Sequence, residues 1–363
     1  DTNDWNTAAN WDTNAVPPTT SHVVIPSGLS KYPTTNAPIT VNSIEINSGA
    51  SFVLGGAVTG EVTYERDLPT TDWYLVASPV SGETISNFRT NHDLAQNNTK
   101  TIFGFAPFLN NGSTPWDYIT SSTTGNIEEG KGYSMKLKES NSVRFTGTAN
   151  SANLDFGITT GDRNNFNLLG NPYSTFLTEK TVWIWSQDKY KAYNTLNSIE
   201  IAPTQGFFVE ASGNNDVTFN IGNQSHNNSS DTFMRQTSEE YINFELFVAN
   251  DKTTESTKVF YVEDKTTGFD NGYDSSIFGG TSYDFRLFTE LVSDNDGKKL
   301  GIQALPNSNY ENMVVPVGII AENGEEITFS ANINNFPTNI NVFLEDRTNN
   351  IFTNLSESSY KTT

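Results

Sequence analysis

Two stretches of the chain repeat the same order of motifs, and this repeat limits the possible folds more than any other feature. Three pairs of segments match: 73–80 with 166–173, 127–135 with 201–209, and 143–147 with 217–221. The last two pairs lie 74 positions apart and the first pair 93, so the first copy carries about 19 extra residues between Val80 and Ile127. Each copy has a Gly before an aromatic residue, followed by an alternating strand. Two such copies predict one pseudo-symmetric β-sandwich.

The composition also favours β structure. Aromatic residues reach 12% although only 35% of the residues are hydrophobic, and charged residues are 17%. Disordered chains are poor in aromatics, and long surface helices are rich in charge, so neither class fits. Strands with aromatic side chains on one face and Thr, Ser or Asn on the other would give this composition.

Turn signals divide the chain into segments. We predict an N-terminal segment like a β-roll over 1–62, the repeat-based sandwich over 63–225, a polar linker over 226–238 and a C-terminal β-sandwich over 239–363. The last segment contains about eight alternating strands, which suits a jelly-roll or immunoglobulin-like sandwich. The predicted fold class is therefore all-β, with tandem β-sandwich or jelly-roll modules after a short β-roll-like segment.

Charge and cysteine content exclude several function classes. The formal net charge is −21, with 42 acidic and 21 basic residues, so nucleic acid and anionic membrane surfaces are poor partners. No apolar run approaches the ~20 residues that span a bilayer. The absence of Cys excludes disulfides, thiolate zinc sites and a cysteine nucleophile.

No catalytic constellation is evident. His22, His92 and His226 each stand beside Ser or Asn, without triad or zinc spacing, and we expect them on the surface. The acidic pairs Glu128-Glu129, Glu239-Glu240 and Glu325-Glu326 are adjacent residues, which point to opposite faces of a strand. They cannot form the facing couple of a glycosidase. We therefore predict that the chain is not an enzyme.

Two aromatic clusters are candidate ligand surfaces. Trp116, Asp117 and Tyr118 form one, and Trp183 with Trp185 forms the other, on one face if the segment is a strand. Exposed aromatics beside Asp or Asn bind sugars, but core packing explains the same residues because Trp is usually largely buried. The sequence alone does not decide between a ligand surface and core packing.

Two loops are candidate calcium sites. Asp270, Asn271 and Asp274 lie in one loop, and Asp294 and Asp296 lie in another before a Gly. Calcium takes six to eight oxygen ligands, which acidic loops supply. Neither loop has the EF-hand spacing, and Asp-Gly and Asn-Gly are also common turn sequences, so tight turns are the alternative.

Several sequence segments of the chain resemble segments of the surface proteins that Bacteroidetes export through the type IX secretion system. They are residues 10–28, residues 168–173 with the weaker match 75–80, and residues 269–274, 303–306, 315–318 and 344–346. In that family such β modules precede a C-terminal sorting domain, often in large proteins that are adhesin-like or of uncharacterised function. The resemblance implies export, location at the outer cell surface of a Gram-negative bacterium, and contact with the secretion machinery.

From these features we predict a non-catalytic structural or adhesion protein, secreted or at the cell surface, that contacts surface proteins or glycans. The alternative is a carbohydrate-binding accessory region of a larger secreted polysaccharide-degrading enzyme. Alanine substitutions at Trp183 and Trp185 would distinguish a ligand surface from a core. They would abolish glycan binding without unfolding in the first case and unfold the protein in the second.

Overall fold

The computed structural model of the chain describes residues 2–178, 181–186, 189–196, 198–226, 236–237, 241–279 and 284–363, and at residues 185, 186, 189, 198, 236 and 237 it describes the backbone alone. Strands account for 46% of the residues and helices for 5%, so the all-β prediction is confirmed. The chain divides into two compact units: Asp1–Tyr190 with Ile199–Arg235, and Lys191–Ser198 with Gln236–Thr363. No helix among the described residues is long and apolar enough to cross a membrane.

The chain enters the second unit within strand β15 and leaves it within β16. The elements up to residue 225 are, in chain order, a 3-10 helix (Ala8–Asn10), β1 (His22–Ile25), β2 (Thr34–Thr35), β3 (Ile39–Ile46), β4 (Val53–Leu54), β5 (Val58–Leu68), β6 (Tyr74–Ala77), β7 (Val80–Ser81), α1 (Ile85–Asn91), β8 (Phe105–Pro107), β9 (Gly132–Met135), β10 (Asn141–Ala149), β11 (Leu154–Ile158), β12 (Phe166–Gly170), β13 (Phe176–Thr178), β14 (Val182–Ser186), β15 (Lys189–Tyr193), β16 (Ser198–Ile201), β17 (Gly206–Glu210), β18 (Asn215–Phe219), a 3-10 helix (Ile221–Asn223) and β19 (Gln224–Ser225).

The N-terminal strands stack as parallel rungs. β1 pairs with β3 and β3 with β5, both in parallel, and β2 pairs with β4 in the same sense. Partner residues of parallel strands lie side by side, so Val23, Ile44 and Val62 form one buried column. β10 continues the sheet in antiparallel pairing with β5, which places Phe145 beside Tyr64 in the same core.

The two copies of the repeat form equivalent strand pairs. β6 pairs with β9 in the first copy and β12 with β17 in the second, both antiparallel. The register is the same in both copies: Ala77 lies opposite Gly132, and Gly170 lies opposite Gly206. The extra residues of the first copy fall largely between β7 and β8, where they form α1 and a short hairpin that joins Gln96 to Phe103.

The two copies contact each other through matched residues. The Ala77 amide donates to the Thr204 carbonyl at 2.8 Å, and the Gly170 amide donates to the Gly130 carbonyl at 2.9 Å. Because Ala77 matches Gly170 and Gly130 matches Thr204 in the repeat, each copy gives the other the same bond, as in a two-fold interface. Gly130 and Thr204 also share a left-handed backbone, with φ of 75° and 63°.

Glycine permits this close approach. A Cβ on Gly132 would lie 2.3 Å from the carbonyl oxygen of Leu169, and one on Gly206 would lie 3.1 Å from Leu75. These are the Gly residues that precede an aromatic residue in each copy. The sheets of the two copies therefore pack with backbone against backbone at this point.

The second unit is built around one large curved sheet. Its elements from residue 236 onward are β20 (Gln236–Thr237), β21 (Ile242–Ala249), β22 (Thr254–Val262), β23 (Ser275–Ser276), β24 (Arg286–Thr289), β25 (Leu300–Pro306), a 3-10 helix (Tyr310–Asn312), β26 (Val317–Ile320), β27 (Ile327–Asn334), β28 (Phe343–Asp346), β29 (Ile351–Asn354) and β30 (Tyr360–Thr362). The strand order is β26-β24-β25-β22-β21-β27-β30, with β23 paired to β25, and β28 and β29 form a separate hairpin.

Both faces of this sheet are covered within the unit. Alternate residues such as Leu246, Val259 and Leu287 lie in a core to which the hairpin contributes Leu344. Residues on the opposite face form a second cluster of Phe260, Val262, Ile302 and Ala304 with Leu196. Leu196 belongs to Lys191–Ser198, so this short segment is part of the core of the second unit.

The two units differ from the predicted segments in two ways. Residues 1–62 share one core with the first copy of the repeat, because β5 carries the parallel rungs on one edge and β10 on the other. Lys191–Ser198, placed by the sequence in the sandwich 63–225, belongs to the second unit. Residues 227–235 and 238–240 of the predicted linker and its flank lie outside the described residues.

Candidate functional site

The predicted cluster at Trp116 lies on a strand-like segment at the edge of the first copy's sheet. The amides of Asp117 and Ile119 donate to the carbonyls of Pro107 and Phe105 of β8. Trp116 pairs with Phe108 in an antiparallel β-bridge. Alternation then puts Trp116 and Tyr118 on one face and Asp117 on the other. The structure therefore brings the two aromatics of the predicted trio together and separates Asp117 from them.

The second predicted cluster is placed differently. Trp183 is 2% exposed, and its ring meets that of Phe166 edge to face at 4.9 Å. It is a core residue of the second copy, where Trp183 pairs with Phe208 across β14 and β17. The side chain of Trp185 lies outside the described residues.

Trp73, which the sequence analysis did not select, completes a patch with Tyr118. Trp73 directly precedes β6 and Lys136 directly follows β9, beside the paired residues Tyr74 and Met135. Its ring lies 5.8 Å from that of Tyr118, at an interplanar angle of 56°. Two small residues on the intervening strands, Ala106 and Ser134, leave room for the two rings to meet. We call Trp73, Trp116, Tyr118 and Lys136 the aromatic patch.

The aromatic patch is partly open to solvent. Trp73 is 36% exposed, and Tyr118, Trp116 and Lys136 are half-buried. The Lys136 ammonium lies 5.8 Å from the centroid of the Trp73 ring, within range of a cation–π contact. Burial raises the pKa of the Tyr118 hydroxyl, so this group is a neutral donor at physiological pH. The patch thus offers ring faces with polar atoms beside them.

Trp116 anchors the patch to the interior of the first unit. Its ring contacts those of Phe108 at 5.3 Å and Phe208 at 6.5 Å, both near perpendicular. Phe208 belongs to the second copy of the repeat. A patch supported by both copies is held on a rigid scaffold, which lowers the entropy that binding would cost.

The histidines have structural partners. His22 is exposed and lies 2.8 Å from Ser43, whereas His92 and His226 are half-buried, in contrast to the surface positions expected from the sequence. His92 contacts the carbonyl of Phe88 through Nδ1 at 2.8 Å and accepts the Arg144 amide at Nε2 at 3.0 Å. Burial lowers the pKa of His92 and of His226. The ring nitrogens of all three thus contact hydroxyl, amide or backbone groups.

The ring of His226 joins two distant parts of the first unit. Its Nε2 lies 2.8 Å from the Thr34 hydroxyl and its Nδ1 lies 2.9 Å from the Ser51 hydroxyl. A hydroxyl can donate or accept, so both contacts persist when the ring gains a proton. The contacts fix the end of the repeat region to the N-terminal rungs.

Three of the four described acidic residues of the predicted pairs have partners. Glu128 pairs with Lys131 at 2.9 Å, Glu325 accepts from Asn250 at 2.7 Å, and Glu326 pairs with Lys361 at 2.7 Å. Glu239 and Glu240 lie outside the described residues. Burial raises the pKa of Glu129.

The first predicted calcium loop is organised by hydrogen bonds of its own carboxylates. Asp274 is 2% exposed and accepts the amides of Asp270 and Ala304, each at 2.6 Å. Asp270 in turn accepts the backbone and hydroxyl of Thr266 at 2.7 and 3.1 Å. Asn271 is exposed. Asp270 and Asp274 are therefore brought together, and their oxygens hold the loop to β25.

The second predicted loop forms tight turns. Asp296 accepts the Lys298 amide at 3.1 Å, Asn295 accepts the Gly297 amide at 2.9 Å, and Asp294 has a left-handed φ of 52°. Among the described residues, no three His, Cys, Asp or Glu side chains form a group that could hold a metal ion. Calcium binding at either loop stays a prediction.

These observations define an all-β protein of two compact units with an aromatic patch on a sheet of the first. The chain belongs to the family described as "Domain of unknown function (DUF8693)", which matches residues 175–363. The matched region includes Lys191–Ser198 as well as Gln236–Thr363, and so contains every residue of the second unit. Comparison with curated proteins and with solved structures gave no match.

Proposed function

We propose that the protein is a non-catalytic adhesion protein of the bacterial outer surface, and that the aromatic patch is its contact surface. The observation that carries the proposal is the Trp73–Tyr118 pair, which presents two large rings at the surface of a rigid sheet. Aromatic residues with a polar atom nearby dominate binding surfaces because they bury much area and lose little conformational entropy.

The partners of the ionisable side chains support a role without catalysis. A general base or nucleophile needs a free lone pair in a cleft. His92 uses both ring nitrogens within the fold, and Asp274 uses both carboxylate oxygens. Hydrogen bonds within the fold occupy both groups, which supports a structural role for them.

Several sequence segments resemble those of proteins exported by the type IX secretion system, and this resemblance supports the proposed location. Export by that machinery would place the chain at the outer surface of a Gram-negative bacterium, where proteins and glycans are the available partners. The formal charge of −21 suits a protein released into water, because a net charge far from zero keeps a protein soluble. Secretion machinery and surface glycans or proteins are accordingly the proposed partners.

A carbohydrate-binding accessory region of a larger polysaccharide-degrading enzyme is the second candidate. It is favoured by the same pair of tilted rings, because an exposed aromatic ring can cover the flat apolar face of a sugar. The two candidate functions differ in whether a catalytic domain is attached to the same polypeptide. An accessory region would raise the activity of an attached catalytic domain on insoluble substrate, and an adhesion protein would not.

Retention of the purified chain on cells tests the proposal. A fluorescent form of residues 1–363 is incubated with intact cells and with the extracellular matrix that they deposit. We expect retention of the wild type, loss in the Trp73→Ala/Tyr118→Ala double variant, and normal retention of Phe352→Ala. Phe352 is 65% exposed in the second unit and serves as the matched control. Equal retention of all three would overturn the proposed contact surface, and release of sugars or peptides would overturn the non-catalytic role.

A further inference from the structure

We propose that the aromatic patch binds a pyranose unit of an uncharged polysaccharide, with the sugar ring stacked on the exposed face of Trp73. This inference rests on the proposed function and names the chemistry of its ligand. It draws on three features: an exposed indole ring, a cation that pairs with no carboxylate among the described residues, and the negative net charge of the chain.

The first feature is the open face of Trp73. The matching residue in the second copy is Phe166, which is 3% exposed and packs against Trp183. Trp73 occupies the same repeat position and is 36% exposed. The position is therefore a core position in one copy and a surface position in the other, so packing alone does not require a large aromatic at 73. A flat apolar ring with polar neighbours is the surface that the C–H face of a pyranose can cover.

The second feature is Lys136. Lys136 takes part in none of the ion pairs found among the described residues. Its ammonium stays beside the Trp73 ring and keeps three donors for a ligand. The neutral Tyr118 hydroxyl adds a group that can donate or accept. Sugar hydroxyls, which do both, match this set of donors.

The third feature is the charge around the patch. Asp72 directly precedes Trp73 and Asp117 directly precedes Tyr118, and both are exposed. Asp117 lies on the opposite face of its segment, so the patch itself carries one ammonium, and the net charge of −21 on the whole chain repels a polyanion. The electrostatics therefore favour a neutral sugar polymer over a polyuronate or a nucleic acid.

Affinity electrophoresis and calorimetry with the whole chain test the inference. The neutral probes are xylan, galactomannan and cello-oligosaccharides, and the acidic probes are alginate and polygalacturonate. We expect binding to a neutral probe that is unchanged between low and high salt, because an uncharged ligand is not screened. Trp73→Ala should weaken binding by about tenfold or more, and Lys136→Met by roughly threefold, as expected for lost stacking and a lost hydrogen bond.

Two controls keep the test independent of folding. Each variant must keep the wild-type Tm, and Phe352→Ala must bind as the wild type does. Binding of the acidic probes alone, or binding to neutral probes that Trp73→Ala does not weaken, would overturn the inference.

The same samples separate this inference from the proposed function. Retention on cells that depends on Trp73, without binding to any of the neutral probes, would overturn the glycan inference and leave the adhesion proposal standing. Retention that does not depend on Trp73 would overturn both.

Discussion

The side-chain amide of Asn194 donates to the carbonyl oxygen of Tyr273 at 2.5 Å, and the same nitrogen donates to the Ser275 hydroxyl at 3.0 Å. Asn194 is fully buried, and its own Oδ1 accepts the amide of Leu196. These bonds, together with the burial of Leu196, make Lys191–Ser198 an integral part of the second unit.

We expect Asn194→Ala to destabilise the second unit by roughly 1–3 kcal/mol, because the part-buried Tyr273 carbonyl and the buried Ser275 hydroxyl lose their donor. Hydrogen exchange of β22 and β25 measures this effect. Thr195→Ala, which removes an exposed hydroxyl bonded to Gly272, is the matched control and should cost less. Unchanged protection of both strands in Asn194→Ala would contradict the account.

The same contacts predict the outcome of a truncation. Residues 236–363 expressed alone lack Leu196 and should expose Phe260 and Ile302. We expect this fragment to bind a hydrophobic dye and to show little cooperative unfolding. A cooperative, dye-negative fragment would show that Lys191–Ser198 is dispensable.

The matched turns at Gly130 and Thr204 predict opposite effects of exchanging their residues. Thr204 is a β-branched residue at φ 63°, and its buried hydroxyl has no hydrogen-bond partner in the part of the chain that the structure describes. Thr204→Gly removes the strain and the unpaired hydroxyl and should stabilise the first unit by about 1 kcal/mol. Gly130→Thr should destabilise it, because its Cβ would lie 3.1 Å from Leu154 and from Phe156.

Tryptophan fluorescence is the measurement for both exchanges. The six Trp residues, all at or before position 185, belong to the first unit and report its unfolding. Destabilisation by Thr204→Gly as large as that by Gly130→Thr would contradict the equivalence of the two turns.

The buried carboxyl of Asp274 predicts a pH effect in the second unit. Burial raises its pKa from 3.8 to about 6, against the opposing bonds from Asp270 and Ala304. The folded state holds this proton to higher pH than the unfolded state does. The contribution of the Asp274 carboxyl to the free energy of unfolding is therefore complete below about pH 4 and is lost as the pH rises through 6. Asp274→Asn should remove this dependence, which amounts to roughly 3 kcal/mol between pH 4 and 7.

Hydrogen exchange of β25 at pH 4, 5.5 and 7 checks this effect, with the exposed Asp251→Asn as control. An identical pH dependence in wild type and Asp274→Asn would contradict the account. Melting with calcium and with EDTA on the same samples tests the calcium prediction, because a ligand of the folded state raises Tm.

His92 predicts a pH effect of opposite sign in the first unit. Its pKa is lowered from 6.5, chiefly by burial and also by Arg144. The unfolded state therefore takes up a proton first, and stability falls as the pH drops below about 6.5. His92→Gln should flatten the dependence of stability on pH in this range. Denaturant unfolding at pH 5 and 8, monitored by Trp fluorescence, measures this effect. His22→Gln, which replaces an exposed ring, is the matched control.

The sequence predicted the all-β class and the repeat because both depend on local alternation. The pairing of Ala77 with Gly132 and of Gly170 with Gly206 follows the matched segments. Helix α1 was not predicted, because seven residues carry too little periodicity. It forms because Thr84 accepts the amide of Asn87 at 3.1 Å and Phe88 is buried against Phe105 and Phe145.

The aromatic patch could be predicted only in part. Trp116 and Tyr118 were identified from their density in the sequence, but Trp73 matches a buried Phe in the repeat and gave no sign of exposure. Its meeting with Tyr118 depends on small residues of two other strands. The membership of Asn194 and Leu196 in the second unit likewise depends on partners about 60 or more positions away, such as Phe260 and Tyr273, which local patterns do not reveal.

Hydroxyl-radical footprinting of the whole chain tests the central claim most directly. The chain is labelled free and after retention on extracellular matrix, and oxidation is compared at Trp73, Tyr118 and Phe352 by mass spectrometry. The account predicts that Trp73 and Tyr118 become protected while Phe352, the more exposed residue, is labelled as before. Full labelling of Trp73 in the retained protein would contradict it.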